Sequence, residues 1–195
     1  MATHIALLRG VNVGGRNKIA MADLRQIVAA LGHTDVATYI QSGNVVFTAR
    51  GGGGQAGAGS GGTAAMADEL AQAITRATAL RPGVVVLSRD ELAQVIRDNP
   101  YPGEPNPKLV HAVFLPPDPG PEVEPSVAAL VERVAADGSR DTARLIGRVL
   151  FLHTPDGFGR SKLSELLLAR SSSPVPAGTA RNWSTVGKLL ALCDA

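Results

Sequence analysis

His4–Gly32 reads HIALLRGVNVGGRNKIAMADLRQIVAALG, and this stretch decides the fold. Ile5–Leu8 is a short apolar run without alternation, as in a buried strand. Gly10 opens a polar loop that lasts to about Ala20. In Met21–Leu31, Leu24, Ile27, Val28 and Leu31 recur at i, i+3, i+4 and i+7, the stripe of an amphipathic helix. Asp23 in its first turn suits the helix dipole, and Gly32 is a good stop.

Further along, Val36–Ile40 and Asn44–Thr48 are β-rich runs flanking Ser42-Gly43, a hairpin signal. Gly51–Gly62 is Gly-rich and is expected to be a mobile loop. Ala64–Leu80 predicts a helix with Met66, Leu70, Ala73, Ile74 and Ala77 inward, and Val84–Leu87 a strand. The order so far is strand, helix, strand, strand, helix, strand. Ser88–Arg97 then predicts a helix with Ser88 and Glu91 as its capping box.

Asn99–Pro107 is Pro-rich and is expected to be a linker or ordered loop. Leu109–Leu115 predicts a strand, Pro116–Pro125 a turn, and Ser126–Ala136 a helix with Val127, Leu130, Val131 and Val134 as its stripe. Ala143–Ile146 and Val149–His153 flank Gly147-Arg148 as a second hairpin. Ser161–Ala169 and Arg181–Leu192 are the last expected helices. The second half thus repeats the first half's order without its closing strand. The expected class is α+β, with two ferredoxin-like βαββα(β) subdomains spanning 1–98 and 99–195. Each is a small, mainly antiparallel sheet with helices on one face.

Composition narrows the function classes. The chain has 195 residues, 45% hydrophobic and 18% charged, enough to bury a core. Nineteen bases against 17 acids give no strong global field. A single cysteine, Cys193, rules out a disulfide scaffold and a Cys-based zinc site. No apolar run approaches the roughly 20 residues that span a bilayer, and the N-terminal one is too short for a signal peptide. A soluble, cytoplasmic protein with no membrane partner is expected.

Charge placement is uneven. Residues 1–22 hold Arg9, Arg16 and Lys18 and no acid, whereas 99–137 are acidic and 138–195 are basic again. The two cationic ends are expected to converge. In a βαββαβ unit the first two strands are parallel, and the third runs antiparallel between them. The loop after strand one and the first hairpin then share one sheet edge. Arg9, Asn12, Arg16, Asn17 and Lys18 come near Gln41, Ser42 and Asn44. Gly10, Gly14, Gly15 and Gly43 would let backbone approach a ligand. The same glycines and amides also serve turns and loop backbone, and sequence alone leaves both readings open.

Gly10–Asn17 has phosphate-loop spacing, but Arg16 stands for the lysine and Asn17 for the hydroxyl, so no nucleotide-hydrolysis site is expected. Rossmann dinucleotide spacing is absent. Pro155–Lys162 follows a strand and opens a helix, placing Arg160, Ser161 and Lys162 at its start. A bound anion would reconcile those cations with the helix dipole. Arg181 and Asn182 repeat polar groups at a helix start, while Trp183 reads as a core anchor.

His4, His33, His111 and His153 have no second ligand at metal spacing, so no metal site is expected. Cofactors are likewise not expected. Cys193, among leucines, reads as inert. No carboxylate pair or catalytic base can be named. Aromatics at 4% offer poor base stacking, which disfavours sequence-specific RNA reading but leaves contact with a nucleic-acid backbone.

IALLRGVNVGGRNKIAMADLRQIVAALG, TYIQSGNVVF, DGFGRSKL and TARNWSTVGKLLAL resemble the bacterial domain-of-unknown-function family 1697, nearly end to end from His4 to Leu192. The resemblance implies a cytosolic α+β protein with ferredoxin-like subdomains and no assigned activity. Ala20 stands where the family usually has a basic residue, and Gly51–Gly62 looks like an insertion.

The leading functional expectation is a binding protein for a phosphate-bearing or anionic ligand, a nucleotide or other small molecule or a nucleic-acid backbone, in a cationic cleft between the two halves. Its contacts would come from Arg9, Gly10, Asn12, Gly14, Gly15, Arg16, Asn17, Lys18, Gln41, Ser42, Asn44, Arg160, Ser161, Lys162, Arg181 and Asn182. The alternatives are an enzyme on a phosphorylated small molecule, or an interaction module whose arginines are closed off internally.

Overall fold

The computed structural model describes residues 1–51, 60–169 and 173–195. The chain divides into two compact units, Met1–Gln94 with Lys188–Ala195, and Val95–Gly187.

The first unit runs β1 (His4–Arg9), α1 (Met21–Ala30), β2 (Thr34–Tyr39), β3 (Asn44–Thr48), α2 (Ser60–Thr78) and β4 (Gly83–Ser88), and then enters α3 (Arg89–Arg97). Its sheet has the order β2-β3-β1-β4, with every neighbouring pair antiparallel. β3 lies between β1 and β2, as the crossover predicts. Ala6, Leu8, Val45, Phe47 and Val86 turn one face toward Leu24 and Val28 of α1 and Leu70 and Ile74 of α2. Ile5 and Leu7 are equally buried. A strand buried on both faces reads as a continuous apolar run, which explains the unbroken stretch Ile5–Leu8. Burial of each such side chain contributes about 1.5–3 kcal/mol.

Two local signals behave as expected. Gly32 takes a positive φ of 87° and its N–H donates to Ala29 O, ending α1. At α3, Ser88 N donates to Glu91 Oε2 at 2.7 Å and Glu91 N donates to Ser88 Oγ at 3.1 Å, completing the capping box. α2 differs: it begins at Ser60, not Ala64, so residues 60–62 of the Gly-rich tract are helical. Thr63, buried to 1% exposure, extends the inward stripe one turn upstream, and packing outweighs the low helix propensity of glycine. The rest of the expected mobile loop, 52–59, lies outside the described residues.

The second unit repeats the pattern with β5 (Val110–Phe114), α4 (Val123–Ala136), β6 (Thr142–Ile146), β7 (Val149–His153), α5 (Lys162–Leu168) and β8 (Thr179–Asn182). Its sheet order is β6-β7-β5-β8, again antiparallel. Val113, Leu115, Leu150 and Leu152 pack on Val127 and Val134 of α4 and Leu163 and Leu167 of α5. α6 (Trp183–Cys193) begins here, and its residues from Lys188 belong to the first unit.

The second unit has the closing strand that the sequence reading denied it. Thr179–Asn182 pairs with β5, so Arg181 and Asn182 lie on a strand and not in the first turn of a helix. Thr179 and Arg181 alternate inward. Gly178 runs so close to β5 that a Cβ there would stand 2.7–2.8 Å from Val113, Leu115 and Phe114. Four residues are too few to show a period of two. The helical stripe that follows masks them. Among the described residues, no helix is long and apolar enough to cross a membrane.

Candidate functional site

The loop between β1 and α1 is built from its own amides. Arg16 N donates to Val13 O across Gly14 and Gly15, whose φ values of 56° and 75° make the tight reversal that needs two left-handed residues. Asn12 holds both ends. Its Nδ2 donates to Ile19 O and Gln41 O at 3.0 and 2.9 Å, and its Oδ1 accepts from Ile19 N. Asn17 Nδ2 donates to Gly10 O at 2.8 Å. Val11 and Ile19 anchor the loop's ends in the core.

The hairpin meets this loop at one sheet edge. Leu8 N donates to Gly43 O at 2.8 Å. Buried Asn44 donates through Nδ2 to Tyr39 O and Ser42 Oγ. The structure therefore brings Arg9 through Lys18 together with Gln41, Ser42 and Asn44. The side chains of Asn12, Asn17 and Asn44 are engaged in shaping the edge. Arg9, Arg16, Lys18 and Gln41 are exposed, and Ser42 is half-buried. A Cβ placed on Gly10, Gly14 or Gly15 would meet nothing within 4 Å, so the loop's outer surface is open. Among the described residues, Arg9, Arg16 and Lys18 have no ion-pair partner.

In the second unit the expected site residues are more occupied. Ser161 caps α5: its Oγ accepts from Ser164 N and donates to buried Asp141 Oδ2 at 2.8 Å. Lys162 pairs with Glu165 at 2.9 Å, while Arg160 is exposed in a 3₁₀ turn, Phe158–Arg160. The adjoining cleft of about 260 Å³ carries Asp137, Asp141 and Asp156 beside Arg160 and Lys162. Such a mixture gives no net cationic field. Arg181 is 9% exposed and donates to Ala180 O, and burial lowers its pKa to about 10, still charged at neutral pH. Asn182 Oδ1 accepts from Ser184 N and caps α6, while its Nδ2 donates to Lys108 O.

Two clusters escaped the sequence reading. His153 Nε2 lies 2.7 Å from Glu104 Oε2, with Tyr101 against the imidazole and its hydroxyl hydrogen-bonded to Thr142 Oγ1. The Asn106 N–H and His153 hold the Glu104 carboxyl below its ordinary range. The pairing of Val110 with His153 carries the preceding Pro-rich segment back over the end of β7. That contact could be read only once the register was known. His111 stacks on Phe158 at 3.9 Å, and burial pushes its pKa down to about 4. Its Nε2 faces the Asn182 amide at 3.4 Å, and its Nδ1 is buried with no partner among the described residues.

These features define a two-unit α+β protein, with an antiparallel sheet in each unit and an open cationic loop on the first. The chain belongs to the family described as protein of unknown function (DUF1697), which matches residues 1–151. The DGFGRSKL and TARNWSTVGKLLAL segments lie beyond that match. "The structure of conserved bacterial protein SP0830 from Streptococcus pneumoniae" is similar, with a TM-score of 0.70 at 21% identity over 98% of each chain. At that identity the likeness establishes fold. No curated protein matches the chain.

Proposed function

We propose that the first unit binds a phosphate-bearing or otherwise anionic ligand, a nucleotide or a nucleic-acid backbone, at the β1–α1 loop. The observation that carries this reading is a loop pinned by Asn12 and Asn17 that holds Arg16 and Lys18 in solvent beside Arg9, with no ion pair to any of the three among the described residues. Because the scaffold is already ordered, little further entropy is lost on binding. Each charge-assisted hydrogen bond supplies about 1.5–3 kcal/mol, so three give affinities from roughly millimolar to micromolar. Calorimetric titration with ADP and with pyrophosphate tests it. Binding should weaken at least about tenfold in Arg16→Ala/Lys18→Ala, since even one lost bond of that strength costs a factor of ten. Equal affinity in that variant and wild type would refute it.

A second reading, an enzyme acting on a phosphorylated small molecule, is supported by the Glu104–His153 pair. Glu104 orients the imidazole through Nε2, and Nδ1 has no hydrogen-bond partner among the described residues, an arrangement suited to a general base. Phosphate release from a phosphomonoester panel, lost in His153→Gln, would establish it. Activity unchanged in that variant would exclude His153.

A further inference from the structure

Topology adds a cation to the loop edge that the sequence did not connect with it. Arg9 pairs in register with Gly83, so exposed Arg81, two residues upstream of β4, enters at the same edge. The edge also exposes apolar side chains. Val13 is 66% exposed and Ile40 is 52% exposed. They flank the Asn12–Gln41 hydrogen bond, one residue beyond on each side. Ile40 holds a φ of +50°, a conformation that β-branched residues avoid. The fold thus keeps a strained, water-exposed isoleucine at the same sheet edge.

Resting on the anion-binding reading above, the geometry points to a single-stranded nucleic acid as the ligand, laid along this edge with phosphates on Arg9, Arg16, Lys18 and Arg81 and bases against Val13 and Ile40. Ile40 follows β2 and Arg81 precedes β4, the two outer strands, and four neighbouring strands span about 14 Å at the usual strand spacing, so one phosphate cannot engage the cations and the apolar side chains together. A nucleic-acid strand repeats an anion and a flat apolar face at every residue. An acidic peptide must interrupt one to supply the other. The sheet face opposite α1 and α2 is closed to bases, because Ile5, Leu7 and Leu87 there are buried. The strand therefore follows the edge.

The test is fluorescence anisotropy of the full chain with labelled single-stranded 12-mers at 50 and 200 mM salt. Four neutralised phosphates give a log–log salt slope of about −2.8, or roughly 50-fold weaker binding at the higher salt. Arg81→Ala should flatten that slope by about 0.7. Ile40→Gly should weaken binding without changing the slope or lowering Tm. Arg133→Ala, a charge-matched change on α4, should do neither. Displacement by polyglutamate as effective as by unlabelled oligonucleotide would overturn the inference in favour of an acidic protein partner. Binding of ADP or pyrophosphate without oligonucleotide binding would overturn it and leave the anion-binding reading standing. If no anion binds, both fall.

Discussion

Gly43→Ala tests how the cationic edge is held. Gly43 has a φ of 73°, and a Cβ there would lie 2.7 Å from Leu8 Cβ and 2.7 Å from Val11 Cγ2. The left-handed conformation costs an alanine about 1–2 kcal/mol. Forcing a methyl into packed neighbours adds about 1–3 kcal/mol, and reduced freedom of the unfolded chain returns about 0.4–1 kcal/mol. The net loss is about 3 kcal/mol at the middle of these ranges, or roughly 6–12 °C in Tm for a chain of this size. Gly14→Ala is the control. Its φ of 56° carries the same backbone strain, but its Cβ meets nothing within 4 Å, so it should lose only about 1 kcal/mol. Calorimetric melting of both variants separates sterics from strain. Equal losses would refute the idea that contact with Leu8 and Val11 locks the hairpin to the loop. Because Gly43 O accepts from Leu8 N, any shift at this point moves Arg9 and the loop after it. Gly43→Ala should therefore also weaken anion binding more than Gly14→Ala does.

Two further outcomes follow from buried titratable groups. His111 has a folded-state pKa of about 4, below its ordinary 6.5, so protons favour the unfolded chain. Its contribution to stability is complete above pH 6.5 and fades as pH falls toward 4, by up to about 2 kcal/mol once its partial exposure is allowed for. Urea melts of His111→Gln should show a flatter pH dependence in that window, and an unchanged slope would sink the assignment. Cys193 is fully buried, with its thiol raised to about 11. It should react with a thiol reagent at pH 8 only as fast as the chain unfolds, and rapid labelling of the native protein would contradict its burial.

What was legible followed from period and punctuation. The stripe of α1, the Ser88–Glu91 capping box and the hairpin at Ser42-Gly43 are local signals, and they fixed the first unit's order. That order in turn placed the loop beside the hairpin before any distance was known. β8 was not legible, because four residues before a strong helical stripe carry no period of their own. The Glu104–His153 pair was hidden because its partners are 49 residues apart and meet through strand register. The roles of Asn12 and Asn17 were ambiguous for a different reason. An amide serves a turn or a ligand equally well until its acceptors are located.

The internal repetition of the fold supplies a comparison for the charge at the loop. β1–α1 and β5–α4 are the same connection in two copies of one topology. The first carries Arg16 and Lys18 in solvent with no acid before Met21, whereas the second carries Asp118 and Glu122. In the second, Asp118 Oδ1 accepts from Gly120 N, and the Glu122 carboxylate lies over Gly120. The topology therefore accepts either sign at this edge, so it does not require the cations of the first unit. Nor does packing require them, since the loop's shape comes from Asn12, Asn17, Val11 and Ile19 and from no cation. Positive charge that neither topology nor packing needs, beside apolar side chains left in water, is what an anionic partner with an apolar face would account for.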